Sequence, residues 1–550
     1  MIEPNLWVPT NNLTLEPNAL LAAKEQQRSL ALTAGPGAGK TEMLAQKADF
    51  LLRTGVCPYP KRILAISFKT DASKNLKERV KLRCGNNLSR RFDSFTFHAF
   101  AKQIIDKFRV LLTGQDELNP NYSIDKKRIY KTQIDFDSLV PLAIQIVNNS
   151  EIVRNTILQT YSHVFLDEFQ DCTDKQYELI QTIFHNSNIK LTAVGDTKQK
   201  IMGWAGALEG IFLNFRNDFN AHPLNMYRNF RSKPRLLRLQ NKIIRNLDPD
   251  SVMTDDLMQG NEGHFSHLNF SNSTEEAEYL SNLIETWIKQ EKIAPSEIAI
   301  LVSKQVEHYA FELMVKLKAK EIPFRNEQSM QDISAEPIAR LIIDYLLCLY
   351  GSRNPKAWTK INEILFPFDL NEKLQTSFIR DFNNFFKEQK KLLVTSNTPQ
   401  KIETWEQAIT NLLNKLGKAV LTSLSPDYES ETLLNKIIID LINKINELLI
   451  LDTNLLKALN SFSYDETVKL LTIHKSKGLE FHSVIILGVE KEAFWGKVED
   501  ERCAFFVGVS RAKERLIFTE TRYRPLNSPP YRWIENRLPH PEFFNYRVDQ

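Results

Sequence analysis

A glycine-rich segment near the start of the chain has the composition of a loop that binds phosphate groups. Glycine is scarce, at 18 of 550 residues, so three glycines within five positions indicate a backbone that bends sharply or approaches a ligand closely. The N–H groups of such a loop and the start of a following helix can hold phosphates. Lys40 would reach the β- and γ-phosphates, and the Thr41 hydroxyl would ligate Mg²⁺. The segment reads Ala34, Gly35, Pro36, Gly37, Ala38, Gly39, Lys40 and Thr41.

An acidic segment supplies the other half of this chemistry. The apolar residues 164–166 run directly into Asp167 and Glu168. Asp167 can hold Mg²⁺, mostly through water, while Glu168 is placed to orient or deprotonate an attacking water. The two segments together predict hydrolysis of a nucleoside triphosphate, but they do not indicate what the hydrolysis drives.

Buried strands and helices are needed to position these side chains. Residues 29–33 predict a short buried strand, and the apolar spacing of residues 42–52 predicts a helix. Strand, glycine loop and helix in that order are the context that a P-loop requires. Further apolar runs predict strands at 63–68, 164–166, 191–196, 297–302, 468–473, 484–487 and 516–518.

Other short motifs follow along the chain. They read SFKTDA (67–72), TFHAF (96–100), DEFQD (167–171), VGDTKQ (194–199), NFRS (229–232), TIHKSKGLEF (472–481) and VGVSRAKERL (507–516). With the P-loop, these motifs and their order make the chain similar to superfamily 1 DNA helicases of the UvrD/Rep/PcrA family, over about residues 15–350 and 465–520. The compact size and the lack of a nuclease motif also resemble the helicase-like subunit of the Gabija anti-phage system, which works beside a separate nuclease subunit.

The resemblance implies an α/β fold. Two RecA-like P-loop domains with parallel sheets are expected, each interrupted by a mainly helical insertion, with one ATP between them and 3′→5′ movement along single-stranded DNA. The implied boundaries are 1–100 and 162–222 for the first RecA-like domain, 101–161 for its small helical insertion, 223–350 and 465–522 for the second RecA-like domain, 351–464 for a helical accessory subdomain, and 523–550 for a C-terminal tail.

The resemblance also implies roles at the nucleotide. Gln199 would sense the γ-phosphate, and Arg231 and Arg511 would reach it from the second domain as arginine fingers. Phe230 would stack on adenine, and Glu480 would contact the ribose. The implied catalytic residues are Lys40, Asp167, Glu168, Gln199, Arg231 and Arg511; the ATP-binding residues are those from Ala34 to Thr41 with Phe230, Gly478 and Glu480; Thr41 and Asp167 would hold Mg²⁺.

Single-stranded DNA needs flat side chains for its bases and donors for its phosphates. By resemblance, Phe68 and Trp204 would stack on bases. Contacts to the DNA backbone are implied for Thr96, His98, Thr472 and His474.

The chain departs from the family pattern at several positions. Thr70 and Asp71 replace an Asn and a Lys, while Met202 and Ala205 replace a Tyr and an Arg. These changes remove a stacking platform and a phosphate contact, so the grip on DNA is expected to be weaker or differently arranged. The adenine-reading Gln of the family would fall at Ala19, which leaves strict preference for ATP open.

Composition limits the other possibilities. Hydrophobic residues at 42% and charged residues at 25% are usual for a soluble globular protein, and a net charge of +4 is too small to name a polyanionic partner. No apolar run approaches the roughly 18–20 residues of a membrane-spanning helix. Five scattered cysteines without a CxxC pair argue against a disulfide framework or a zinc ribbon. We expect a cytoplasmic protein without membrane contact.

Two functions remain open at this point. The first is an ATP-driven translocase that unwinds DNA in repair or in anti-phage defence, with single-stranded or tailed duplex DNA as partner. The second is a DNA-stimulated ATPase that acts as a sensor or regulatory subunit for a partner nuclease without productive unwinding. Two readings of the tail are also open, a strap packed on the core or a contact for nucleic acid or a partner.

Overall fold

The fold is known from a computed structural model, which describes residues 2–68, 70–125, 127–200, 207–208, 210–327, 333, 336–365, 372–395, 402–425, 428, 431–451, 453–460, 462, 467–526, 529–530 and 533–546. In chain order the strands are β1 (Leu30–Ala34), β2 (Arg62–Ser67), β3 (Phe92–Thr96), β4 (Leu118–Ile124), β5 (Lys131–Ile134), β6 (Tyr161–Asp167), β7 (Lys190–Gly195), β8 (His222–Met226), β9 (His264–Asn272), β10 (Ile298–Val302), β11 (Phe324–Asn326), β12 (Val468–Thr472), β13 (Phe481–Ile486) and β14 (Ala512–Tyr523).

The helices alternate with these strands. In chain order they are α1 (Pro17–Lys24), α2 (Lys40–Arg53), α3 (Thr70–Ser89), α4 (Phe97–Phe108), α5 (Leu139–Asn148), α6 (Glu151–Thr160), α7 (Asp174–Phe184), α8 (Ile211–Asp218), α9 (Pro234–Leu247), α10 (Ser273–Lys289), α11 (Val306–Tyr309), α12 (Phe311–Ala319), α13 (Pro337–Tyr350), α14 (Pro355–Leu365), α15 (Glu372–Thr395), α16 (Ile402–Leu424), α17 (Glu431–Leu451), α18 (Leu455–Asn460) and α19 (Val498–Val509).

Two parallel sheets organise the chain. Within the described residues, the first sheet has the order β3-β2-β6-β7-β1-β8 and the second β11-β12-β10-β13-β14-β9, and every strand pair in both is parallel. We call residues 2–226 the first lobe, residues 234–327 with 467–546 the second lobe, and residues 227–233 the linker. The expected α/β fold of two RecA-like domains is confirmed.

Burial explains which strands could be predicted. Central strands such as β10 are buried along their whole length, because helices cover both faces of a parallel sheet. All the predicted strands lie in the interior of a sheet. The four edge strands, β3, β8, β9 and β11, were not predicted, because their partly exposed residues form no continuous apolar run.

The insertion between β3 and β6 packs against the first sheet. It contains α5 and α6, and its side chains share one apolar core with Val164 and Leu166 of β6. The sequence suggested helices alone here, whereas the structure adds the two-stranded sheet of β4 and β5.

The accessory helices form a separate apolar core. Phe382 and Trp405 are buried there, together with Leu441 and Ile445 of α17. Helix α13 belongs to the same core, although the sequence placed its residues in the second RecA-like domain. Its two-sided apolar surface fits either location, and only packing distinguishes them.

The tail packs on the second lobe as a strap. Buried Arg524 forms ion pairs of 2.9 Å with Glu276 and with Glu490, and the Trp533 indole donates to the Arg524 carbonyl. Further along, the Phe543 ring stacks on Phe505 at 4.1 Å. Tyr531 and Arg532, which could contribute to a contact with nucleic acid or a partner, lie outside the described residues.

Across the described ranges, no helix combines the length and apolarity needed to cross a membrane.

Phe543→Ala is expected to lower the free energy of unfolding of the second lobe by about 3–5 kcal/mol, because it removes a buried ring from the strap. Urea denaturation measures the effect. Leu538→Ala, at a tail residue that is 58% exposed, is the matched control and should change stability by no more than about 0.5 kcal/mol. Equal stability of Phe543→Ala and wild type would show that the strap does not anchor the tail.

Candidate functional site

The P-loop connects β1 to α2 and is closed by the linker. Gly37 has φ = 70°, and a β-carbon there would lie 2.3 Å from Asn229 Oδ1 and 2.6 Å from Arg231 Cβ. The Phe230 N–H donates to the Gly37 carbonyl at 3.0 Å. Glycine is therefore required at Gly37 both by the backbone conformation and by the approach of the linker.

Lys40 begins α2, and its ammonium faces the carboxylates of the first lobe. Its Nζ donates to the carbonyl oxygens of Ala34 at 3.1 Å and Gly35 at 3.3 Å. Burial lowers the pKa of Lys40, and the negative charges of Glu168 and Asp167 oppose that shift. The side chain thus lies among the loop atoms that would surround a phosphate chain.

Asp167 and Glu168 lie where β6 ends. The Glu168 N–H donates to Asp167 Oδ1 at 3.0 Å, and Glu168 has φ = 51°, a left-handed conformation that costs energy for a non-glycine residue. Burial and the neighbouring Glu168 charge raise the pKa of Asp167 to about 7. For Glu168, burial is outweighed by Lys40 and Lys477, which lower its pKa to about 2. The two lysines beside Glu168 therefore favour its charged form.

The donor set at this edge suits Mg²⁺. Thr41 offers a hydroxyl on the first turn of α2, and Asp167 offers a buried carboxylate at the end of β6. Both are oxygen ligands, which Mg²⁺ prefers, and few protein ligands are needed when phosphates supply the rest. These two residues therefore fit the expected cation.

A buried hydrogen-bond chain joins the two lobes. Gln199 follows β7, donates to Asp196 Oδ2 at 2.8 Å, and accepts from an Arg511 nitrogen at 2.9 Å. Arg511 immediately precedes β14 in the second lobe, and burial and nearby Arg231 lower its pKa to about 9. The structure thus brings together two residues that are 312 positions apart in the sequence.

A second contact joins the linker to the second lobe. Arg231 Nε donates to Glu480 Oε2 at 2.8 Å, and Arg231 also donates to the Ser510 carbonyl at 3.1 Å. Glu480 further pairs with Lys513 at 3.4 Å. Two residues before Glu480, Gly478 has φ = 92°, a left-handed backbone conformation that explains why this position is a glycine. Arg231 therefore lies in the linker between the P-loop and Arg511, rather than deep in the second lobe.

Phe230 presents an exposed ring beside the P-loop. It is 53% exposed, and the Arg228 guanidinium lies 4.9 Å from its ring centre. Ala19 is buried in α1, and the adjacent Asn18 amide donates to the Asn225 carbonyl at 2.6 Å. Asn18, next to the position where the adenine-reading Gln is expected, is therefore engaged with the backbone of β8.

The candidate DNA residues of the first lobe share one edge of its sheet. Phe68 directly follows β2, and Thr96 ends the paired strand β3. The Thr96 hydroxyl accepts from the Ala99 N–H at 3.2 Å and caps α4, while the His98 ring lies 5.3 Å from the Phe136 ring. Thr96 therefore has a structural role that the motif did not reveal.

The remaining candidates lie elsewhere. Thr472 ends β12 in the second lobe, where its hydroxyl accepts from the Lys475 N–H at 3.3 Å, and His474 begins the next helical turn. Trp204, Met202 and Ala205 lie outside the described residues, as do the side chains of Thr70 and Asp71.

Sequence reasoning missed several polar residues within its own motifs. Gln170 donates to Glu168 at 2.6 Å and accepts from the Asp196 N–H at 3.0 Å, so it connects the ends of β6 and β7. Asp171 and Lys477 form a buried ion pair between the lobes. The motifs that contain these residues were recognised. The spacing of residues within one motif does not indicate which distant residue each side chain contacts in the folded protein.

Two family models match the chain. The one described as UvrD/REP helicase N-terminal domain matches residues 15–134 and 122–220. The one described as UvrD-like helicase C-terminal domain matches residues 224–378 and 367–523.

Individual proteins are similar over most of the chain. A probable DNA helicase II homolog of Mycoplasma genitalium is 25% identical, covering 88% of this chain and 82% of the relative. ATP-dependent DNA helicase Rep of Buchnera aphidicola subsp. Schizaphis graminum is 23% identical, covering 90% and 91%. ATP-dependent DNA helicase PcrA of Bacillus subtilis is 23% identical, covering 93% and 83%.

Glu168→Gln is expected to lower ATP turnover by about 10²–10⁴-fold, because it removes the charged carboxylate that would activate water. ATP binding should persist, since the P-loop is unchanged. Steady-state hydrolysis and binding of a fluorescent ATP analogue separate the two effects. Lys40→Ala should abolish turnover, because it removes the cation that would bind the β- and γ-phosphates. Hydrolysis at the wild-type rate in either variant would contradict the assignment.

Proposed function

The chain belongs to the UvrD-like helicase family and is an ATP-dependent DNA helicase, and we propose that it moves 3′→5′ along single-stranded DNA and unwinds duplexes. The observation that carries this proposal is the chain of buried contacts from Asp196 through Gln199 to Arg511. It joins the carboxyl edge of one parallel sheet to the amino edge of the other. Hydrolysis at that junction can therefore change the distance between the lobes.

The hydrolysis step follows from the positions of the charged groups. Lys40 and the P-loop N–H groups would bind the phosphates, and Thr41 and Asp167 would hold Mg²⁺, which neutralises phosphate charge when bound. Glu168 would orient the attacking water and accept its proton. Arg231 and Arg511 would stabilise the charge that develops on the γ-phosphate.

Gln199 supports the link between hydrolysis and movement. Its amide lies between Asp196 of the first lobe and Arg511 of the second. Loss of the γ-phosphate changes what Arg511 can bind, so the contact that holds the lobes together changes with the nucleotide state. Alternation between two separations of the lobes is the physical basis that we propose for stepping.

The proposed DNA contacts lie on both lobes. Phe68 would stack on a base, and Thr96, His98, Thr472 and His474 would contact the backbone, with Trp204 as a further stacking residue. Base stacking tolerates any sequence, which suits a motor that moves along unrelated DNA. The 3′→5′ direction is proposed from the family.

A sensor role is the second candidate. Ala205 and Asp71 stand where a phosphate-contacting Arg and a Lys are expected, which favours weaker attachment to DNA. In that case the protein would hydrolyse ATP on DNA without displacing a strand, as a regulatory subunit for a separate nuclease. Repair and anti-phage defence are both compatible roles.

The decisive experiment compares ATP hydrolysis with and without single-stranded DNA, using Glu168→Gln as the blank. Strand displacement is then measured on duplexes with a 3′ tail and with a 5′ tail. Stimulated hydrolysis with displacement of the 3′-tailed duplex alone is the expected result. Stimulation without displacement would favour the sensor, and displacement of only the 5′-tailed duplex would contradict the proposed direction.

Phe68→Ala is expected to raise the DNA concentration for half-maximal stimulation by about 5- to 150-fold, equivalent to losing about 1–3 kcal/mol of stacking. Basal hydrolysis should change little. Tyr59→Ala is the matched control, because Tyr59 is an exposed ring near the opposite end of β2. An equal fall in basal and stimulated hydrolysis in Phe68→Ala would argue against a stacking role.

A further inference from the structure

One segment of the second lobe runs from the proposed DNA side to the ATP side. Thr472 ends β12 and Phe481 begins β13, and both strands are parallel to β10. Residues 473–480 must therefore cross from the carboxyl edge of the second sheet to its amino edge. Five residues of strand separate those edges by about 16 Å, at roughly 3.3 Å per residue. We call residues 473–480 the crossing loop.

The crossing loop is held firmly at both ends. The Ile473 N–H donates to the Val302 carbonyl at 2.8 Å, and the buried Ser476 hydroxyl donates to the Ile473 carbonyl at 2.6 Å. At the other end, the Phe481 N–H donates to the Arg511 carbonyl at 2.9 Å. A loop fixed in this way transmits displacement rather than absorbing it.

Lys477 lies in the middle of the crossing loop and projects into the first lobe. Its Nζ donates to the two carboxylate oxygens of Asp171 at 2.9 and 2.7 Å, and to the Gln199 carbonyl at 2.7 Å. Only 3% of the Lys477 side chain and 1% of the Asp171 side chain are exposed. Two opposite charges can be buried in this way only while the lobes are closed, because separation would open both to water.

The two residues that Lys477 contacts belong to the hydrolysis edge of the first lobe. Asp171 follows Glu168 in the same short loop after β6, and Gln199 accepts from Arg511. Gln170, which immediately precedes Asp171, donates to the Glu168 carboxylate at 2.6 Å. A shift of the crossing loop would therefore change the surroundings of both Gln199 and Glu168.

We propose that Lys477 is a positioning residue, whose ion pair with Asp171 transmits DNA binding at Thr472 and His474 to the hydrolysis edge. DNA holds the start of the crossing loop, and the ion pair fixes its middle against the first lobe. Gln199 and Glu168 are thereby aligned when DNA is present. This inference rests on the proposed DNA-stimulated hydrolysis.

The test measures coupling and DNA binding separately. Lys477→Met should lower the DNA-stimulated kcat by about tenfold or more, as expected for loss of a coupling contact. The Kd for a fluorescein-labelled oligo-dT, measured by anisotropy, and the KM for ATP should each stay within about threefold of wild type, because neither ligand is bound by Lys477. Lys477→Arg should retain part of the stimulation, since a guanidinium can bind both oxygens of a carboxylate.

A double-mutant cycle tests the ion pair itself. Asp171→Asn should cause a similar loss, and Lys477→Met combined with Asp171→Asn should be no worse than either alone. If Lys477→Met does not fold, Asp171→Asn still tests the ion pair, because it removes the other charge of the pair. Lys175→Met is the matched control, because Lys175 forms an exposed 2.7 Å ion pair with Glu178 within α7. Loss of an exposed pair should leave DNA stimulation unchanged.

The results that would contradict the role of Lys477 differ from the result that would contradict the proposed function. Wild-type stimulation in Lys477→Met, additive losses in the double variant, or a rise in the DNA Kd that matches the fall in kcat would overturn this inference alone. Absence of stimulation in the wild-type protein would overturn the proposed function, and this inference with it.

Discussion

Compensation of buried charge between the two lobes is the constraint on which the site depends. Asp171, Asp196, Lys477 and Arg511 are all nearly inaccessible to water, and a buried charge without a partner costs several kcal/mol. Each of these charges is paired or hydrogen-bonded across short distances, and the pairs of Lys477 and Arg511 reach the opposite lobe. Closure of the lobes therefore completes the charge balance, and opening them must rehydrate it.

The parallel sheets make this arrangement possible. In the first sheet, β6, β7 and β1 are neighbours, so their carboxyl ends bring Asp167, Asp196 and the P-loop to one edge. The second sheet presents its amino edge to the first lobe, because Glu480 directly precedes β13 and Arg511 directly precedes β14. The first edge carries carboxylates and the P-loop, and the second carries Arg511, whose guanidinium reaches Gln199 of the first lobe.

Local backbone conformation fixes the details. Glu168 adopts a left-handed conformation that most residues avoid, and its N–H donates to Asp167. Strain of this kind persists only where the surroundings hold it, and here Gln170 holds the Glu168 carboxylate while its own oxygen binds the start of the next loop. Two neighbouring strand ends are thus bound into one unit, which fixes the Glu168 carboxylate beside the start of the loop that follows β7.

The sequence by itself determined the interior strands, the P-loop and the identity of the motifs, because strands buried on both faces are continuously apolar and a phosphate loop needs its glycines. It did not determine the edge strands, whose residues are half exposed, nor the placement of α13, whose apolar surface fits either core. The tertiary structure alone decided which motif residues meet. Lys477 and Asp171 are 306 positions apart, and only the stacking of two sheets edge to edge brings such residues within 3 Å.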